Sequence, residues 1–181
     1  MTGVVVTGIG AVSPAGVGVM PLWKAVSSGR SLLSGMMDSV DRVVFDGFEF
    51  DSVAIGEVPD LEKHLDFLPR EVRRLDRFVQ LAVLAASEAV QDSGLENEML
   101  SDARAGVAFA TAICGTTTLE REFVRVTGSG MNPVDPDAVS HDLYLAAMSN
   151  TPAIVLSAML GTQGPVFALS TGCVGGIDAV G

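Results

Sequence analysis

The sequence is poor in the side chains that most often build a reactive centre. It has two cysteines, Cys114 and Cys173, and two histidines, His64 and His141, in 181 residues. Two cysteines cannot make the disulfide framework of a small secreted domain, and no His/Cys spacing makes a metal site, so the scarcity suits a reducing, cytoplasmic setting. Positive charge is also short. Eleven Lys and Arg against 22 Asp and Glu leave a formal net charge of −11, which argues against general nucleic-acid binding and against docking on an anionic membrane. Long apolar runs are missing as well: the apolar start has no basic leader region, and glycines and Pro14 interrupt it, so no membrane span is expected. What is abundant is apolar surface. Hydrophobic residues make up 48% and charged ones 18%, with a mean hydropathy of +0.42. One domain over residues 1–181 needs less than this, so part of that surface is expected to face a partner or a further segment.

The chain opens on Val4-Val5-Val6-Thr7, read as a buried strand, and a glycine turn through Gly8, Gly10 and Pro14. A dinucleotide site fails here because Ser13 replaces the third glycine of the fingerprint and Pro14 blocks the helix that would hold a pyrophosphate. Pro21 opens a short helix that stops at Gly29, with Trp23 assigned to the core. Residues 35–60 read as a surface connection with one short strand around Ser52 to Val58. From Pro69, apolar residues at Val72, Leu75, Val79, Val83, Ala86 and Val90 predict one amphipathic helix as far as Gly94. Its first turns carry Arg70, Arg73, Arg74 and Arg77. In an acidic chain this cluster is either a solvated face paired with Glu71 and Asp76, or a docking patch for an acidic partner.

Ala105 to Ala112 fits a strand buried on both faces, and Thr116 or Thr117 fits a cap for the helix after it. A helical turn over Leu143 to Met148 and a helix from Thr151-Pro152 to Gly161 lead to a final strand, Pro165 to Leu169. The order of elements is that of an α/β protein with helices on both faces of its sheet.

That strand runs into Ser170-Thr171-Gly172-Cys173-Val174-Gly175-Gly176 and then a helix from Gly176 to Gly181. A strand, a small-residue turn bearing one nucleophile, and a helix form a nucleophile elbow. A helix N-terminus favours a thiolate by about 1 kcal/mol, too little to ionise an ordinary thiol at neutral pH, so a base must complete the activation. His64 and His141 both lie in polar, surface-like stretches. A Cys173–His141 dyad of the protease kind is the competing reading, and Cys114 is expected to pack rather than react.

Three motifs in order, Val4 to Pro14, Arg73-Arg74-Leu75-Asp76-Arg77-Phe78 and the Ser170-Thr171-Gly172-Cys173 turn with Gly176, resemble the N-terminal half of β-ketoacyl-acyl-carrier-protein synthases of the thiolase fold. The resemblance runs almost the whole length. Thr117 to Val124 and the ending Asp178-Ala179-Val180-Gly181 look most like the α-type ketosynthase subunit of bacterial type II polyketide systems, with fatty-acid elongation synthases next. The resemblance implies the N-terminal half of a layered αβαβα fold with a mixed sheet.

It also implies that Cys173 accepts an acyl or polyketide chain, which the carbanion from malonyl-carrier protein then attacks. Arg70, Arg73 and Arg74 would dock the acidic acyl carrier protein. No cofactor of the chain's own is implied, because the phosphopantetheine arm belongs to the carrier. A second subunit of the same fold, a chain-length factor or another copy, is the implied partner. The family's histidines, lysine and glycine-phenylalanine turn fall in its C-terminal half. The chain alone is therefore expected to be acylated slowly and not to decarboxylate malonyl, unless it is a truncated, non-catalytic assembly module. Leu145 to Asn150 departs from the family's bulkier, proline-containing run, which alters the implied acyl pocket.

Overall fold

The computed structural model describes residues 3–35 and 54–181. In chain order, β1 (Val12–Ser13) and β2 (Gly16–Val17) form a small antiparallel hairpin, followed by α1 (Val19–Ser27). Strand β3 (Ser34–Gly35) pairs antiparallel with β4 (Ala54–Ile55). Helices α2 (Leu61–Leu65), α3 (Arg70–Arg73), α4 (Arg77–Ser93) and α5 (Asn97–Leu100) come next. Then follow β5 (Val107–Ala110), α6 (Thr116–Thr127), α7 (Leu143–Ala147), α8 (Thr151–Leu160), β6 (Val166–Leu169) and α9 (Gly175–Val180). Strands β5 and β6 pair in parallel, with Val107 opposite Val166 and Ala110 opposite Leu169.

This parallel pair is the platform of the fold. Because side chains alternate along a strand, Val107 and Phe109 share one face of β5 and Ala108 and Ala110 the other. Val107 and Phe109 pack on a core of Leu61, Leu68, Val72, Val83, Leu84 and Leu156, which brings α4 and α8 onto that face. Helix α9 lies on the opposite face, where a Cβ at Gly175 would stand 3.0 Å from the Ala110 methyl. Helices therefore flank both sides of the sheet, but α9 leaves Ile177 77% exposed and Val180 open beside it, and Phe167 of β6 is exposed too. The expected burial of Ala105 to Ala112 on both faces is thus only partly met: Ala108 and Ala112 are exposed.

The glycine turn at the start has a packing cause. A Cβ at Gly8 would overlap the Ala89 carbonyl oxygen, and one at Gly10 the Ala85 carbonyl oxygen, so the segment lies directly on the α4 backbone. Two α4 carboxylates hold it there. Asp92 accepts from the Ile9 N–H at 2.9 Å, and Glu88 accepts from the Ala11 and Val19 N–H groups, each at 2.8 Å. Such bonds serve backbone groups that have no strand partner. Val4 to Val6 do not form the buried strand read from their sequence: Val4 is 95% exposed, and residues 3–11 pair with no strand among the described residues.

Further corrections concern helix ends. The helix expected from Pro69 to Gly94 is two helices, α3 and α4, broken at Asp76, which caps α4 by accepting from the Phe78 N–H at 3.1 Å. Gln80 fixes the break, its Nε2 donating to the carbonyls of Arg73 at 3.0 Å and Leu75 at 2.9 Å. Neither Thr116 nor Thr117 caps α6; Gly115 holds the cap position, and the Asp76 carboxylate receives the Thr118 N–H at 3.0 Å. Asn150 precedes α8, and the Thr151 hydroxyl donates to the Leu145 carbonyl at 2.7 Å. Trp23, assigned to the core, is 64% exposed on α1. The connection read over residues 35–60 mostly lies outside the described residues, and of its strand β4 is what is described.

Candidate functional site

The last sheet bond before the elbow is the Thr111 N–H to the Leu169 carbonyl at 3.0 Å. Beyond it the backbone turns at Gly172, whose φ of +67° is a left-handed conformation that a side chain would strain. Gly172–Val174 then form one 3-10 turn, and α9 starts at Gly175, one residue earlier than its sequence suggests. Cys173 therefore sits inside the turn, ahead of the helix, with its side chain exposed. Gly175, buried against Ala110, lets this turn seat on the sheet. One side-chain hydrogen bond spans the turn: the Thr171 hydroxyl donates to the Asp178 carboxylate.

No described base reaches the sulfur. His141 is exposed in the turn before α7, His64 is half-buried on α2, and neither is hydrogen-bonded to Cys173 among the described residues. The protease-like dyad thus gains no support from the geometry. Cys114 is half-buried in the loop between β5 and α6, and its carbonyl accepts from the Thr116 N–H.

A second surface comes from the break between α3 and α4. Arg70, Arg73, Arg74 and Arg77 are all exposed, while Leu68 and Val72 beneath them are buried. Arg73 approaches Asp66 at 3.7 Å in an exposed pair, a contact that contributes little in water. Arg70, Arg74 and Arg77 form no ion pair among the described residues. Asp76, which the sequence offered as their counter-charge, is 5% exposed and turned inward to cap two helices. Arg70, Arg74 and Arg77 are left without an ion pair among the described residues, beside the loosely paired Arg73, as an exposed cationic stripe. Sequence reasoning missed the roles of Asp76 and Asp178; the Asp before α4 could have signalled a cap, whereas the Asp178 contact depends on the turn between.

No helix among the described residues is long and apolar enough to cross a membrane. The family described as "Beta-ketoacyl synthase, N-terminal domain" matches residues 1–181. The chain is 38% identical over 183 residues to a polyketide beta-ketoacyl synthase of Streptomyces cyaneus, a match covering 98% of this chain and 41% of that relative. It is 34% identical over 179 residues to the tetracenomycin polyketide synthase ketoacyl synthase alpha subunit of Streptomyces glaucescens, with the same coverage. It is also 33% identical over 178 residues to 3-oxoacyl-[acyl-carrier-protein] synthase 2 of Vibrio harveyi, covering 98% of this chain and 40% of that one. The chain thus spans about two fifths of the length of these relatives. Among solved structures, a type II polyketide ketosynthase in complex with its acyl-carrier protein matches with a TM-score of 0.79 at 32% identity, over 98% of this chain and 40% of that one.

Proposed function

Because the chain belongs to the β-ketoacyl synthase family, matching its N-terminal domain from end to end, we propose that Cys173 is the acyl acceptor of a type II polyketide ketosynthase. The observation that carries this reading is an exposed cysteine on a left-handed glycine turn between a parallel strand and a helix. The Cys173 sulfur attacks the carbonyl of a carrier-borne thioester, and the pantetheine thiol leaves with a proton. Malonyl-carrier protein then loses CO2, and its carbanion attacks the Cys173 thioester, releasing the sulfur and a β-ketoacyl chain longer by two carbons. Covalent catalysis of this kind splits one hard step into two, and a backbone N–H facing the oxyanion stabilises each by roughly 3 kcal/mol. The reaction needs a proton acceptor that the described residues do not bring to Cys173. That role falls to groups of the kind the family carries in its C-terminal half.

Arg70, Arg73 and Arg74 are the proposed docking residues for the acidic carrier protein. Exposed guanidinium groups, only Arg73 of them in a weak solvent-exposed pair with Asp66, on a chain of net charge −11 steer one acidic partner without attracting nucleic acid in general. A chain-length-factor subunit or a second copy completes the proposed assembly. The likeness to the Vibrio harveyi synthase keeps fatty-acid elongation as the second reading.

Acyl-thioester labelling with peptide mapping, on the chain alone and with any partner polypeptide, tests the assignment. The expected label is on Cys173, lost in Cys173→Ser and kept in Cys114→Ser. Labelling of Cys114 in preference overturns the assignment, and failure to label Cys173 under every condition favours a non-catalytic assembly module. The double change Arg73→Glu with Arg74→Glu should slow transfer from carrier protein and leave transfer from small thioesters intact; equal loss of both would remove the docking role.

A further inference from the structure

The turn that carries the nucleophile has very little holding it. Backbone pairing to β5 ends at Leu169, and the next firm packing is Gly175 against Ala110. Among the described residues, no side-chain hydrogen bond fixes residues 170–174 except that between Thr171 and Asp178. This bond leaves from the residue just before left-handed Gly172 and ends on α9, so it closes a loop around Cys173. A Cβ at Gly175 would also stand 3.5 Å from the Thr171 hydroxyl oxygen, which places that hydroxyl against the first residue of the helix.

We propose that Asp178 is a positioning residue for the Cys173 nucleophile, acting through Thr171. The proposal rests on Cys173 being the acyl acceptor, but concerns a residue to which that reading gives no part. With the bond intact, the end of β6 and the body of α9 are tied together, and Cys173 between them is held in an exposed position. Without it, Thr171 rotates freely about its side-chain torsion, the turn samples other conformers, and the sulfur spends less time presented. Asp178 itself need not touch substrate. Its carboxylate accepts the hydroxyl hydrogen and thereby also sets which way the Thr171 oxygen lone pairs point.

The test reads Cys173 alkylation by iodoacetamide in the chain, with Cys114 alkylation as the internal reference. Asp178→Ala and Thr171→Val should each slow Cys173 labelling about fivefold, the equivalent of a hydrogen bond of ~1 kcal/mol. The double variant should be no slower than either single one, because both remove the same bond. Thr171→Ser keeps the hydroxyl and should restore labelling to within about twofold of the parent, and Asp178→Asn, which keeps an acceptor oxygen, should restore it in part. Unchanged or faster labelling in the single variants, additive losses in the double, or an equal slowing at Cys114 each overturn the proposal. A parent chain alkylated at Cys173 but never acylated there would instead remove the ketosynthase reading and leave the clasp standing.

Discussion

Replacing Asp76 by alanine should cost more stability than any other single polar change among the described residues. The residue is 5% exposed, and its carboxylate accepts two amide hydrogens from different helices, Phe78 N–H at the start of α4 and Thr118 N–H at the start of α6. Loss of an N-cap acceptor typically costs about 1 kcal/mol. Two caps give about 2 kcal/mol, and an amide left unsatisfied beneath a buried side chain adds roughly 1 more. The sum, about 3 kcal/mol, is a large share of the roughly 5–15 kcal/mol that stabilise a typical domain. Urea unfolding followed by circular dichroism measures it as a lowered midpoint at unchanged slope. Asp76→Asn keeps one carbonyl oxygen but turns an NH2 donor toward the second amide, so it should fall between parent and alanine variant. A loss below about 1 kcal/mol for Asp76→Ala, or parent-like stability for Asp76→Asn, would refute the two-helix cap.

Three other outcomes are expected. Gly10→Ala places a methyl on the Ala85 carbonyl of α4 and should destabilise by about 1–3 kcal/mol as the segment is pushed off the helix, read by the same urea titration. Glu88→Ala unties the Ala11 and Val19 amides together, and hydrogen exchange should accelerate at both positions while the α8 amides keep their protection. Arg125, whose guanidinium hydrogen-bonds Glu122, and the Ser140 N–H beside it hold the Glu122 carboxyl below the usual carboxylate range. The stabilisation this gives is complete above the ordinary glutamate pKa and is lost as pH falls through the depressed one. Glu122→Gln should therefore flatten part of the acid limb of a thermal-melting profile, and an unaltered acid limb would count against the pairing.

The sequence was most informative where structure is local. Helical spacing from Val79 to Val90 and the stop at Gly94 correspond to α4, and the short apolar run before the elbow corresponds to β6. The left-handed Gly172 and the exposed Cys173 are the turn that small residues around one nucleophile suggest. Non-local physics was less visible. That Asp76 would cap a helix starting forty positions later depends on α7, whose Ala146 carbonyl receives the Asp76 N–H at 3.3 Å and whose Ala147 carbonyl receives the Gly115 N–H at 3.0 Å. Val4 to Val6 have the composition of a buried strand, but burial needs a neighbour, and none of the described residues provides one. Trp23 shows the same limit: its size suggests a core, yet α1 contributes no buried residue.

The bonds from Asp92 and Glu88 to Ile9 and Ala11 join positions 83 and 77 residues apart. On a ribosome adding about 5–20 residues per second, Ile9 is made roughly 4–17 s before the carboxylate that will hold it. Through that interval the Ile9 and Ala11 amides lack their α4 acceptors, and the glycine segment that carries them is untethered. The two acidic residues of α4 thus act in time as well as in space: they set when the glycine segment is fixed to the rest of the fold.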